Sequence, residues 1–143
     1  MNSIFGSLFI VSTPLGNLKD ITLRALNIMK NSYLIAAEDT RKSKILLKEY
    51  DIKTKMISYH EHNSHNRIKT IISYLKDGKN ISLISDAGTP GISDPSYRLI
   101  RSAIENEITV NSIPGPSAFL TALIIFFPWQ SIFESCPQNL VEC

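Results

Sequence analysis

Apolar positions along this chain follow two periods that take turns. Short runs rich in Ile, Val, Leu and Tyr, each ending in polar or turn-forming residues, recur at "SLFIVST" (7–13), "YLIAAE" (33–38), "KMISYH" (55–60), "NISLISD" (80–86) and "EITVNSIP" (107–114). Their length and composition predict five β-strands. Between them the spacing becomes helical. Ile68, Ile71, Ile72 and Leu75 fall at i, i+3, i+4 and i+7, and Gly78 stands where a helix C-cap is expected. Ile21, Ala25 and Met29 repeat every four residues behind Asp20, which reads as an N-cap. Tyr97, Ile100 and Ile104 follow Asp94-Pro95, a cap with proline at the first helical position. The apolar stretch "AFLTALII" (118–125) reads as a core helix. The alternation predicts an α/β fold, a mainly parallel five-stranded sheet with helices on both faces and binding loops at the carboxyl ends of the strands.

Composition narrows this picture without naming a partner. With 143 residues, 43% of them hydrophobic, the chain can bury one core, and it is read as one domain. A net charge of +2 makes no broad polycationic surface. Arg41, Lys42, Lys44, Lys48, Lys53 and Lys55 are accordingly read as a solvated face in preference to an RNA-binding patch. Cys136 and Cys143 match no redox or ligand spacing, so neither a disulfide framework nor a metal site is expected. The start lacks the basic region of a signal peptide, and "AFLTALIIFFPW" is shorter than a bilayer span, so a cytoplasmic location with no membrane partner is the expectation.

The chemistry collects after the strands. "STPLGNL" (12–18), "EDTR" (38–41), "HEHN" (60–63), "SDAGTPGISDP" (85–95) and "PGPSA" (114–118) follow strands one to five in turn. Prolines that fix φ and glycines that let backbone approach a ligand make stiff surfaces presenting main-chain amides. Each motif alone also reads as ordinary turn or cap chemistry, with Thr40 or Asp39 capping a helix and Pro14 and Gly16 forming a turn. The chain has neither a phosphate-binding G-x-x-x-x-G-K-[ST] nor a dinucleotide G-x-G-x-x-G. Asp86 and Asp94 would repel phosphate but accept from ribose hydroxyls or an amino group, so a sulfonium cofactor fits better. Ser64 stands where a zincin helix needs its second histidine, so zinc at "HEHNSH" is disfavoured.

Five motifs in this order, "TPLGNLKDIT", "AAEDTR", "HEHN", "SDAGTPGISDP" and "PGPSAFLTAL", resemble the amino-terminal half of the tetrapyrrole methylase superfamily over about residues 7–125. Within it they are most similar to the branch that methylates the ribose 2'-oxygen of a cytidine in small-subunit (16S) rRNA. The resemblance implies S-adenosylmethionine as methyl donor, 16S rRNA as partner and a homodimer of two-domain subunits. It points to Pro14, Gly16, Asn17, Asp86, Gly88, Thr89, Gly91, Ser117 and Ala118 for the cofactor. Asp39, Glu38, His60 and His62 are the candidates for a general base. The five loops are expected to line one common hollow. Residues 1–125 are expected to form the family's amino-terminal domain and 126–143 a divergent tail in place of its second domain. Two rivals use the same residues: an inactive remnant serving at most as a binding or dimerisation module, and a tetrapyrrole carbon methyltransferase.

Overall fold

The computed structural model describes residues 5–92 and 94–126. The tail expected from 126 onward therefore lies outside the described residues but for Phe126, as do both cysteines. Five strands form, β1 (Leu8–Val11), β2 (Leu34–Ala37), β3 (Met56–Ser58), β4 (Ile81–Ile84) and β5 (Val110–Ile113), and they join one sheet in the order β3-β2-β4-β1-β5. Every pairing is parallel, with Leu8 opposite both Ile81 and Val110, and Ile35 opposite both Met56 and Ser82. All five expected strands are present. Each is shorter than its apolar run, which leaves Glu38, His60 and Asp86 beyond the strand ends.

Both faces of the sheet are covered, as a parallel sheet requires. Helices α1 (Leu23–Asn31) and α2 (Thr40–Glu49) pack Ala25, Met29, Leu46 and Leu47 against Val11, Ile35, Ala37, Ile84 and Ile113. Helices α3 (Ser64–Lys76) and α4 (Ser96–Glu105) pack Ile71, Ile72, Leu75, Leu99 and Ala103 against Leu8, Ile10, Leu34, Ala36, Ile81 and Leu83. The strand residues alternate between the two layers, so the pleat sorts one apolar run into two cores. Each fully buried Leu or Ile contributes about 1.5–3 kcal/mol. α3 ends as the sequence predicts: Gly78 takes φ +79° and its N–H donates to Leu75 O, while Lys79 N–H donates to Tyr74 O, a Schellman pair that closes the helix.

Four expectations are corrected. α4 begins one residue later than Asp94-Pro95 suggests, with Pro95 at the N-cap position in place of the first helical one. Asp20 does not cap α1; it closes a short 3-10 turn over Leu18–Asp20, and Thr22 caps α1 by accepting from Ala25 N at 3.1 Å. The buried stripe of α4 is Ser96, Leu99 and Ala103, whereas Tyr97 and Ile104 are 53% and 62% exposed. Leu99 and Ala103 stand i, i+4 on a face rotated from the one that Tyr97 and Ile104 share. Finally, α5 (Ala118–Phe126) is no core helix: Phe119, Ile124, Ile125 and Phe126 are each at least 67% exposed, because no element among the described residues covers them. No helix among those residues is long and apolar enough to cross a membrane.

Candidate functional site

Since all five strands run the same way, every loop that follows a strand emerges at one edge. The loops after β1 and β4 are stitched together there. Thr13 N–H donates to Gly88 O at 2.9 Å and Gly88 N–H returns a bond to Thr13 O at 3.0 Å. Thr13 Oγ1 adds a bond to Ser85 O at 3.2 Å, and the hydroxyls of Ser12 and Thr89 meet at 2.8 Å. Gly88 has φ +76°, a conformation glycine adopts without cost, so it turns the β4 loop back on the β1 loop. The loop after β5 joins at Gly115, where a Cβ would come within 2.7 Å of Ser12 Cβ.

A second set of bonds ties the β2 loop to the β4 loop. Asp86 Oδ1 accepts from Asp39 N–H at 3.1 Å, its Oδ2 accepts from Lys42 Nζ at 2.6 Å, and Asp86 N–H donates to Glu38 Oε2 at 3.4 Å. Asp39 caps α2, accepting from Arg41 N–H at 2.9 Å, and its carboxylate takes the Arg41 guanidinium through Nε at 3.1 Å and Nη2 at 2.9 Å. Those Arg41 hydrogen bonds, side chain first and backbone second, hold the Asp39 carboxyl down at about 2. Asp86 raises the pKa of Lys42 by hydrogen bond and charge, keeping the ammonium protonated. A carboxylate so firmly ionised is a weak proton acceptor.

The β3 loop is organised by Asn63. His60 N–H donates to Asn63 Oδ1 at 3.0 Å, so the amide nitrogen is the donor toward Ser58 O and Oγ at 3.2 Å and His60 Nε2 at 3.1 Å. Nε2 therefore accepts, which leaves the donor role on the ring to Nδ1, an atom buried without a partner among the described residues. Tyr59 OH donates to Pro95 O at 3.1 Å, tying this loop to the far end of the β4 loop; burial pushes its phenol up to about 12. His62 is exposed, its ring 6.0 Å from that of His60. Among the described residues no three His, Cys, Asp or Glu side chains gather as a metal-ligand set.

Among the described residues, two hollows on either side of the β1 loop divide the positions that were expected to share one. One of about 180 Å³ is lined by Thr13, Pro14, Gly16, Leu18, Lys42, Ser85 and Asp86, among others. A wider one of about 710 Å³ runs along α5 and is lined by Leu15, Thr22, Gly115, Ser117, Ala118 and Ile125, among others. Of the residues singled out for the cofactor, Pro14, Gly16 and Asp86 share the first, and Ser117 and Ala118 the second. Gly88, Thr89 and Gly91 line neither; they build the stitched loop, with Gly91 N–H donating to Asp94 Oδ2 at 2.8 Å. Asn17 is used locally, its Oδ1 accepting from Lys19 N–H at 3.1 Å. Glu38, Asp39, His60 and His62 line neither hollow. His60 and His62 stand four strands from Ser117 and Ala118, about 19 Å at the usual inter-strand spacing. Ser12, Thr13 and Ser85, which stand inside the quoted motifs but were not singled out, bond at this edge too, as does Lys42, which was read as part of a solvated face. Lys42 adjoins the "EDTR" motif, which was its only signal.

A family model described as "Tetrapyrrole (Corrin/Porphyrin) Methylases" matches residues 7–126. The Halalkalibacterium halodurans protein "Ribosomal RNA small subunit methyltransferase I" is 53% identical over 119 residues, 83% of this chain and 41% of its own. Proteins of the same name from Streptococcus pyogenes and Thermotoga maritima are 50% and 48% identical, over 83% and 90% of this chain and 42% and 59% of theirs. The chain thus spans about two fifths of the length of the first two. A crystal structure of uroporphyrin-III-C-methyltransferase from Thermus thermophilus matches with a TM-score of 0.64 over 84% of this chain and 51% of that one; at 15% identity it shows the fold alone.

Proposed function

We propose, from the premise that this chain belongs to the tetrapyrrole (corrin/porphyrin) methylase family, that it supplies the α/β domain of an S-adenosylmethionine-dependent methyltransferase acting on the ribose 2'-oxygen of a cytidine in small-subunit (16S) rRNA. The observation that carries the reading is identity of about one half, over 119 residues, to relatives named for small-subunit rRNA methylation. Such an enzyme acts in the cytoplasm and, in this family, as a homodimer; the exposed apolar residues of α5 offer surface for a partner.

The residues present fit the cofactor. Asp86 and Lys42 set a carboxylate and an ammonium 2.6 Å apart beside a hollow walled by Pro14 and Gly16, and the amino-acid end of S-adenosylmethionine carries both complementary charges. When bound, it supplies a methyl group on a sulfonium, an electrophile toward a ribose oxygen. The stitched loops around Ser12, Thr13, Gly88 and Thr89 hold their backbone groups in place before ligand arrives, which favours orientation of the reacting groups. A ribose hydroxyl needs a proton acceptor, and Glu38 suits that role best of the four candidates. Asp39 is held by Arg41, His60 Nε2 is engaged by Asn63, and His62 lies at the far end of the edge, whereas no cation among the described residues lies within ion-pair distance of Glu38.

Calorimetry of this chain with S-adenosylmethionine tests the cofactor assignment. Saturable heat is expected, with affinity lowered about tenfold or more in Asp86→Asn through loss of a charge-assisted bond; a flat titration rejects it. Transfer of labelled methyl to small ribosomal subunits, set against a porphyrinogen acceptor, tests the substrate. Glu38→Gln is expected to lower kcat about 10²–10⁴-fold with little change in KM. Methylation of the porphyrinogen in place of rRNA removes the substrate assignment.

A further inference from the structure

Six of the fifteen Lys and Arg residues lie between positions 41 and 55, opposed there only by Glu49 and Asp51, although the whole chain carries a net charge of just +2. The rest of the chain is therefore net acidic, and the positive charge is local. Composition alone favoured a solvated face for these residues. The fold adds a concavity. A groove of about 560 Å³ runs between α2 and β3, the outermost strand of the sheet, with Arg41, Lys44 and Lys48 on its rim and Leu47, Ile52 and Met56 at its base. The three cations fall at i, i+3 and i+7, one face of α2. Arg41 engages Asp39, but no carboxylate among the described residues lies within ion-pair distance of Lys44 or Lys48. Lys53 has only a loose contact with Asp51 at 3.7 Å, both more than four-fifths exposed, which neutralises little.

We propose that this groove is an RNA-binding surface, taking the sugar–phosphate backbone of the strand that flanks the modified ribose, with Lys44 and Lys48 as phosphate contacts. The inference rests on the rRNA reading above and locates the partner. Charge complementarity to a polyanion is its first support. Continuity is its second: Arg41 and Lys42 open the same helix whose N-terminal residues bond the site carboxylates Asp39 and Asp86, so one end of the groove begins at the catalytic edge. A peptide added as a strand would need a longer template than the three residues of β3. A flat anionic surface such as a membrane would not use a cleft.

Binding of a fluorescein-labelled single-stranded RNA of mixed sequence, without cofactor, provides the test. Lys44→Glu with Lys48→Glu is expected to weaken binding at least about tenfold and to lower the salt slope by about one for each lysine. Lys69→Glu with Lys76→Glu, on the opposite face of the sheet, serves as the control and is expected to change neither. Both pairs are exposed, and thermal melts check that the fold persists. Equal loss in both pairs, an unchanged salt slope, or no RNA binding by the wild-type chain overturns the proposal. So does binding of polyglutamate or phosphatidylglycerol vesicles as tight as that of RNA. If cofactor binding and methyl transfer persist while the Lys44/Lys48 variant binds RNA normally, the groove alone falls. If RNA binding depends on the groove but no cofactor binds, the methyltransferase reading falls and the groove stands.

Discussion

Asp39 shows how a single side chain changes meaning between sequence and structure. Beside Glu38, after a buried strand, it reads equally as a helix cap and as a catalytic base. The cap prevails because Arg41, two residues on, reaches back with three nitrogens. Its folded value of about 2 lies below the ordinary 3.8, so the unfolded chain takes up the proton first as pH falls. The stabilisation from this group is complete above about pH 4 and is lost as pH drops toward about 2. Thermal melts across that window are expected to show a decline that is shallower in Asp39→Asn; superimposable acid limbs for the two proteins would mean the contact is absent in solution. Gly115 makes the complementary point about space. With Ser12 Cβ only 2.7 Å from the position of an added methyl, Gly115→Ala must push the β5 loop off the β1 loop. Urea denaturation should register a loss of about 1–3 kcal/mol, and the titration with S-adenosylmethionine a weaker fit; wild-type values in both would show that the loops do not pack as described.

Among the elements, α3 was legible in its apolar spacing and its glycine stop, both local to the chain, and the Schellman pair forms from those same residues; its start at Ser64 was not. α4 was legible as a helix but not in phase. Pro95 takes its N-cap position, the Asp94 carboxylate just before it accepts from Gly91 N–H and Ser96 N–H at 2.8 Å each, and its rotation is set by the sheet and α3 beneath it. Nothing within ten residues of sequence distinguishes a stripe through Tyr97 and Ile104 from one through Leu99 and Ala103. The two phases make opposite forecasts. Leu99→Ala is expected to cost about 2–5 kcal/mol because it opens a cavity, and Ile104→Ala to stay within about 0.5 kcal/mol at an exposed position. Chemical denaturation of the pair decides, and equal losses would restore the stripe expected from the sequence.

For the molecule as a whole, α5 is the element whose environment differs most from its composition. An apolar helix with Phe119 at 71% and Ile124 at 72% exposure presents a patch of the kind that protein partners cover. Sedimentation velocity over a range of concentrations should reveal self-association, and Phe119→Glu with Ile124→Glu should reduce it; a concentration-independent monomer would refute that expectation. The edge where the loops gather has the reverse history. Apolar runs of strand length, alternating with helical spacing, already dictate a parallel sheet and hence a shared edge for five loops, because period and turn chemistry are local properties of the chain. Which loops touch is another matter. Strand order β3-β2-β4-β1-β5 brings Asp86 beside Asp39 and Thr13 beside Gly88, yet sends the histidines and Ser117 to opposite ends. Those neighbours lie 47 and 75 residues apart in the chain. Their meeting depends on how the two apolar layers close over the sheet, a balance of burial summed over the whole molecule that no stretch of sequence contains.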